Sequence, residues 1–150
     1  MQKNVSEHAR AAKEIRIELK RQFPSIKFTV ISDSFSMGNS VNIGWTDGPL
    51  SSSVNAVVKK YQYGNFNSME DIYEYSNKID GIPQVKYVQT SRGMSAETKQ
   101  TIKDRLSKEY GINMDDDKAV YEKFDCWPSQ VIYREFVKEA LAWTIQNQNY

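Results

Sequence analysis

Between Ser40 and Thr46 the chain alternates Val41, Ile43 and Trp45 with Asn42, Gly44 and Thr46. Successive strand side chains point to opposite faces, so this stretch sets one apolar face against one polar face and commits the fold to a sheet with apolar cover on one side. Asp47-Gly48-Pro49 then turns the chain, because Gly accepts a positive φ, Asp bonds nearby backbone and Pro withdraws a ladder donor. The flanking sequence supplies the cover. Upstream, Val5, His8, Ala12, Ile15, Leu19 and Phe23 recur at spacings of three or four behind Ser6, a good N-cap, which predicts a helix over 6–22 ended by Pro24. Downstream, Val54, Val57, Val58 and Tyr61 form a narrow apolar stripe behind Ser51 or Ser52, and Gly64 stops that helix.

The remaining segments complete the fold class. Residues 27–32, with Phe28, Val30 and Ile31, read as a strand that pairs with 40–46 across the polar segment 33–39, the Val41/Ile43/Trp45 face turned toward the helices. Residues 66–79 are read as irregular, since Met69, Ile72 and Tyr75 fit a helical face while 72–75 equally fits an extended one. After the turn at Gly81-Ile82-Pro83, residues 84–90 form a third strand. Ser95 caps a charged helix to Tyr110 whose inner edge is Thr98, Ile102, Leu106 and Tyr110, with Gly111 as its stop. Residues 118–124 give a further helical turn or two, and Trp127-Pro128 opens a last helix to Asn147. The expectation is an α+β fold of order αββαβαα: a small, mainly antiparallel three-stranded sheet packed against helices, with a helical C-terminal third. The 150 residues suit one domain, 1–94 as its α+β core and 95–150 as a helical extension packed on it.

Composition removes several function classes. The lone cysteine, Cys126, sits in no CxxC or Cys/His cluster, so neither a zinc site nor a disulfide framework is expected. No apolar run is long enough to span a membrane and no secretion signal is visible, so a cytoplasmic protein without membrane contact is expected. A net charge of +1 argues against a chain devoted to gripping phosphates. The charge is uneven all the same: residues 1–30 carry seven Lys/Arg against three Glu, and residues 111–150 carry four Lys/Arg against seven Asp/Glu, densest at Asp115-Asp116-Asp117.

Catalytic constellations are missing from the sequence. His8 is the only histidine and lies on the apolar side of the first helix, Cys126 has no adjoining base, and the three aspartates lack the glycine and terminal glutamate of a calcium loop. No enzyme activity, cofactor or metal is expected. Aromatics instead gather between Val41 and Tyr75, which hold four of the nine tyrosines. Phe66, Tyr61, Tyr63, Tyr73 and Tyr75 either pack, with Asp47-Gly48-Pro49 as turn chemistry, or form a stacking or peptide-binding surface beside Lys59 and Lys60.

Trp45-Thr46-Asp47-Gly48-Pro49, then Val54, then Gly64-x-Phe66-x-x-Met69-x-Asp71-x-Tyr73-x-Tyr75 resembles the signature of the large polyvalent protein associated domain, type 29, over about residues 5–95. Asn67-Ser68 stands where that family often has Asp-Gly. The resemblance implies a component of the polyvalent proteins of phages and conjugative elements, which are thought to enter the recipient cell with the DNA and blunt its defences. It carries no catalytic residue. It implies a non-enzymatic accessory protein that binds a host defence component, or the element's DNA, during entry, with Asp47, Phe66, Met69, Asp71, Tyr73 and Tyr75 as the partner surface. The alternative is a nucleic-acid-binding module using the basic faces of the first and third helices, through Arg10, Lys13, Lys20, Lys99 and Lys103. The last helix is apolar around most of its circumference, so Tyr133, Val137 and Leu141 are expected either to meet a second copy or to be covered by residues 118–124.

Overall fold

The alternating stretch is the middle strand of the sheet. The computed structural model describes residues 5–147, with side chains as far as residue 140. Strand β1 (Thr29–Phe35) pairs antiparallel with β2 (Gly38–Thr46), from Thr29↔Gly44 to Phe35↔Gly38, and β5 (Tyr87–Gly93) lies on the other side of β2. The Lys86 N–H donates to the Asn39 side-chain oxygen, and Gly44 faces the Ser91 carbonyl. Five residues along one strand match five along the other, so β5 runs in the same sense as β2. A parallel neighbour needs a crossover, and helix α2 (Ser51–Val58) with the 3-10 turn Lys59–Tyr61 begins it. A second antiparallel pair, β3 (Asn65–Asn67) with β4 (Ile72–Glu74), occupies its later part. The sheet structure is thus mainly antiparallel, within an α+β fold.

The chain divides into two compact units: residues up to Trp45 together with Ser51–Arg92, and Thr46–Leu50 together with the chain from Gly93 onward. In the first unit, Val41, Ile43 and Trp45 are buried against Ala11, Ala12, Ile15 and Leu19 of helix α1 (Glu7–Gln22) and Val54 and Val58 of α2. Phe28 packs its ring on Trp45 at 5.6 Å and on Phe23 at 5.9 Å, closing the end of the core where α1 stops. The polar joint between α1 and the 3-10 turn is Glu18. Its carboxylate, 12% exposed, accepts from the Lys60 ammonium at 2.7 Å and the Tyr61 hydroxyl at 2.6 Å.

The second unit is helical. Ser95 caps α3 (Ala96–Tyr110) by accepting the Thr98 N–H, and Gly111, at φ 65°, ends it in the left-handed region that glycine tolerates. Asp116 caps α4 (Asp117–Phe124) through the Ala119 N–H, and α5 (Pro128–Asn147) begins on proline. Ile102, Leu106, Met114, Val120, Val131, Ile132 and Phe136 form one core, with Cys126 half-buried against it. Arg105 on α3 ties to Glu135 on α5 at 3.0 Å.

The structure amends several expected boundaries. The segment 33–39 is not a loop: β1 continues to Phe35 and β2 begins at Gly38, leaving only Ser36 and Met37 as the turn. Polar residues on the open face of a sheet read as loop in a sequence yet cost nothing in a ladder. The third sheet strand starts at Tyr87 rather than residue 84, because Val85 bridges Gln62 instead. The region 66–79 contains the β3–β4 hairpin, and α4 adds a defined two-turn helix to the expected order.

Emptying the Trp45 site should cost the first unit roughly 3–5 kcal/mol, the usual range for a large buried aromatic, so Trp45→Ala should shift its urea midpoint strongly downward. A second expectation concerns acid. Burial alone would raise the Glu18 pKa, but the hydrogen bonds from Lys60 and Tyr61 and the charges of Lys60 and Arg21 outweigh it and hold it below its ordinary 4.5. A carboxyl pKa lowered by folding adds stability that is present above the unfolded value and lost as pH falls through the folded one. Stability should therefore decline on acidification below about 4.5, and urea melts recorded against pH should show a shallower decline for Glu18→Gln.

Candidate functional site

The β3–β4 hairpin is the most exposed apolar feature of the first unit, and its position follows from local chemistry. Asn65, Phe66 and Asn67 pair with Glu74, Tyr73 and Ile72. The Asn67 side-chain oxygen accepts the Met69 N–H at 3.0 Å and the Glu70 N–H at 3.3 Å, and Asp71 takes φ 54° to bring the chain back. Asparagine and aspartate suit such turns because their short side chains bond local backbone and tolerate the left-handed region. Residues directly opposite share a face, so Phe66 and Tyr73, and Tyr75 two residues on, lie on one side of the ribbon.

Two strands of three residues do not hold themselves in water. Aromatic contacts pin them. Tyr73 meets Tyr63 at 5.9 Å, Tyr75 at 5.3 Å and Tyr87 at 5.7 Å, all edge-to-face, while Tyr63 and Tyr75 stack at 5.4 Å and Tyr87 meets Phe35 at 6.4 Å. The Tyr73 hydroxyl donates to the Lys86 carbonyl at 2.7 Å, and the Lys86 ammonium lies 5.0 Å from the Tyr73 ring and 5.6 Å from that of Tyr87. Burial first, then the neighbouring phenols of Tyr63, Tyr87 and Tyr75, push the Tyr73 pKa up to about 12. Gly64 lets the ribbon approach: a Cβ there would stand 2.1 Å from the Glu74 carbonyl oxygen and 2.5 Å from the Tyr73 ring.

What the hairpin leaves in solvent is apolar. Phe66 is 53%, Met69 95%, Ile72 47% and Tyr75 65% exposed. Tyr73 is half-buried and forms part of the support, and Asp71 serves the turn. Tyr61, expected at this surface, is instead buried, its hydroxyl spent on Glu18. Asp47 belongs to the second unit. At φ 59° it accepts the Ser95 N–H on its carboxylate at 3.1 Å and donates its own N–H to the Gly93 carbonyl at 2.8 Å. Sequence reasoning passed over Phe35, Lys86 and Tyr87, although the alternation around Tyr87 carried a signal for an outward aromatic.

The basic residues are partly engaged. Arg10 pairs with Glu7 at 3.7 Å, Arg16 donates to the Val30 carbonyl at 2.6 Å, Arg21 pairs with Glu18 at 3.7 Å and Lys103 pairs with Asp115. Lys13, Lys20 and Lys99 are exposed. On α5, Tyr133 is exposed and Val137 half-buried, while the side chain of Leu141 lies outside the described residues. The His8 ring sits 3.2 Å from the Ser6 hydroxyl. Among the described residues no cluster of His, Cys, Asp or Glu is placed to hold a metal ion, and no helix is long and apolar enough to cross a membrane.

The family model for large polyvalent protein associated domain 29 matches residues 6–95. The chain belongs to this family. Neither a curated protein nor a solved structure matches it. Residues 6–95 take in all of α1, the sheet, α2 and the hairpin, and they end at the Ser95 cap of α3, so the domain 29 match covers every element that builds and supports the exposed ribbon.

In Gly64→Ala the ribbon must move away from residues 63–64, and the expected result is faster amide hydrogen exchange across 65–74 while amides of α1 and β2 keep their protection. Equal protection of the 65–74 amides in mutant and parent would show that the close approach at Gly64 does not hold the hairpin.

Proposed function

We propose that this chain is a non-enzymatic docking module of a phage or mobile-element polyvalent protein, and that the β3–β4 hairpin is the surface it offers to a protein partner of the host or of the element. One observation carries the reading. Phe66, Met69, Ile72 and Tyr75 stand in solvent on a ribbon that the Tyr63, Tyr73 and Tyr87 rings fix in place. Aromatics and methionine are enriched where proteins bind one another, and a surface fixed beforehand loses less ordering entropy on association. A defence component of the recipient cell is the partner class that membership of domain 29 favours, since proteins delivered with incoming DNA meet such components first.

Binding through nucleic-acid phosphates is less well supported. Of the five basic residues such a surface would use, Arg10 and Lys103 are already in ion pairs, and the remaining three are single charges on solvated helix faces.

The test is capture from a host lysate by the full chain, comparing Phe66→Ala and Met69→Ala with Lys13→Ala and Lys20→Ala. Both hairpin variants should keep the parent's thermal midpoint and lose binding by roughly 2 kcal/mol or more, the scale of an interface hot spot. The lysine variants should bind as the parent does. Capture that falls steeply with added salt and with either lysine substitution would instead establish the phosphate-led alternative.

A further inference from the structure

A groove of about 650 Å³ lies on the flank of the hairpin, and its chemistry differs from that of the exposed ribbon. Its wall is shaped by side-chain amides already committed to backbone. Gln62 donates to the Gly64 carbonyl at 2.7 Å and accepts the Val88 N–H at 2.8 Å, and Asn77 donates to the Gln62 carbonyl at 3.0 Å. The shape is therefore set before any ligand arrives. Val88 and the exposed Ile79 contribute apolar surface, and no carboxylate among the described residues lines the groove.

Three lining side chains keep donors in reserve. Lys60 sends its ammonium to Glu18, but Lys59 makes no ion pair or side-chain hydrogen bond among the described residues. Asn55 uses its oxygen to accept from the Thr90 hydroxyl, which leaves its NH₂ unspent, and Ser76 accepts from Asn65 and retains its own O–H. A second depression, of about 460 Å³, shares Ile79 with the groove but is lined by Glu7 and Asp80 as well as Lys78. The second lining is mixed in sign, whereas the first carries Lys59 and Lys60 without a carboxylate among the described residues and is the better suited of the two to an anion.

We propose that the groove binds a small phosphate-bearing molecule of nucleotide size, with Lys59, Asn55 and Ser76 on the phosphate oxygens and the organic body against Val88 and Ile79. Several donors of different kinds suit an anion with several acceptor oxygens, and an ammonium adds charge to those bonds. The volume lies within the range of small-molecule sites and exceeds what a bare phosphate would fill. The groove borders the hairpin through Asn65 and Ser76, but its donors are not the exposed apolar side chains of the docking surface.

The experiment is calorimetric titration of the full chain at low ionic strength with adenosine monophosphate, guanosine monophosphate, adenosine and inorganic phosphate, repeated on Lys59→Gln, Lys59→Arg and Phe66→Ala. At least one nucleotide should bind. Adenosine should bind about tenfold or more weakly than its monophosphate, and Lys59→Gln should weaken the nucleotide by about tenfold at an unchanged thermal midpoint, the effect of losing a charge-assisted bond. Lys59→Arg should restore most of the affinity. Phe66→Ala should leave nucleotide binding intact, so that failure here is separate from failure of the docking reading. No binding of either nucleotide, equal affinity for adenosine and its monophosphate, or indifference to Lys59→Gln overturns the proposal. Inorganic phosphate as tight a ligand as the nucleotides overturns the part that assigns an organic body.

Discussion

The burial of Val41, Ile43 and Trp45 under α1 and α2 is the contact on which the rest of the first unit rests. A sheet of three strands has too little area to be stable alone, so its apolar face must be covered, and the two helices that cover it have to bring complementary faces to the same place. Ala11 and Ala12 let α1 come close, while Ile15 and Leu19 fill the space beyond them. Once α1 is seated, Glu18 faces the end of α2's crossover and fixes Lys60 and Tyr61 there. Only the Glu18 side of this pair is sheltered, the Lys60 side chain being 42% exposed, so the contact contributes position more than energy and it is the carboxylate that would be costly to leave unpaired. The crossover is thereby set at the point where the chain turns toward the hairpin.

From that point the structure relies on aromatic packing rather than on ladder length. Tyr63 follows the anchored 3-10 turn, Tyr87 begins β5, and Tyr73 is held between them. The edge-to-face arrangements bring the positive rim of one ring to the negative face of another, and each such pair adds about 0.5–1.5 kcal/mol beyond the area it buries. The Lys86 ammonium, donating to the Met37 carbonyl as well as lying near two rings, connects this cluster to the β1–β2 turn. A ribbon too short to persist alone thus becomes a fixed part of the surface.

Much of this was legible because it depends on local chemistry or on regular periods. The β2 alternation, the α1 stripe, the Ser95 and Gly111 ends of α3 and proline at the start of α5 each have one cheap reading, and the structure uses it. The hairpin was not legible, since the contacts that hold it join Tyr73 to Lys86 and Tyr87, and nothing in the spacing of residues 66–79 announces partners that far along the chain. Tyr61 misled for a related reason: a tyrosine beside two lysines reads as surface until Glu18, more than forty residues upstream, takes its hydroxyl. The aromatic concentration between Val41 and Tyr75 was visible; which of its rings face inward was not.

The family signature can be divided by the same physics. Trp45 and Val54 are core, Gly48 takes φ 68° in the turn where Pro49 is buried, Gly64 admits the close approach of the hairpin, Asp71 supplies a left-handed turn residue and Tyr73 pins the ribbon. Folding accounts for each of these. It does not account for Phe66 and Met69, and only in part for Tyr75: each leaves large apolar area in water. Tyr75 does stack on Tyr63, yet two-thirds of its surface remains open. The three lie on the short ribbon that the structure takes most trouble to hold still. Apolar area left open beyond what folding uses, on a support that folding fixes, is what a binding surface requires, and that is the physical reason to look for the partner at the hairpin rather than along the charged helices.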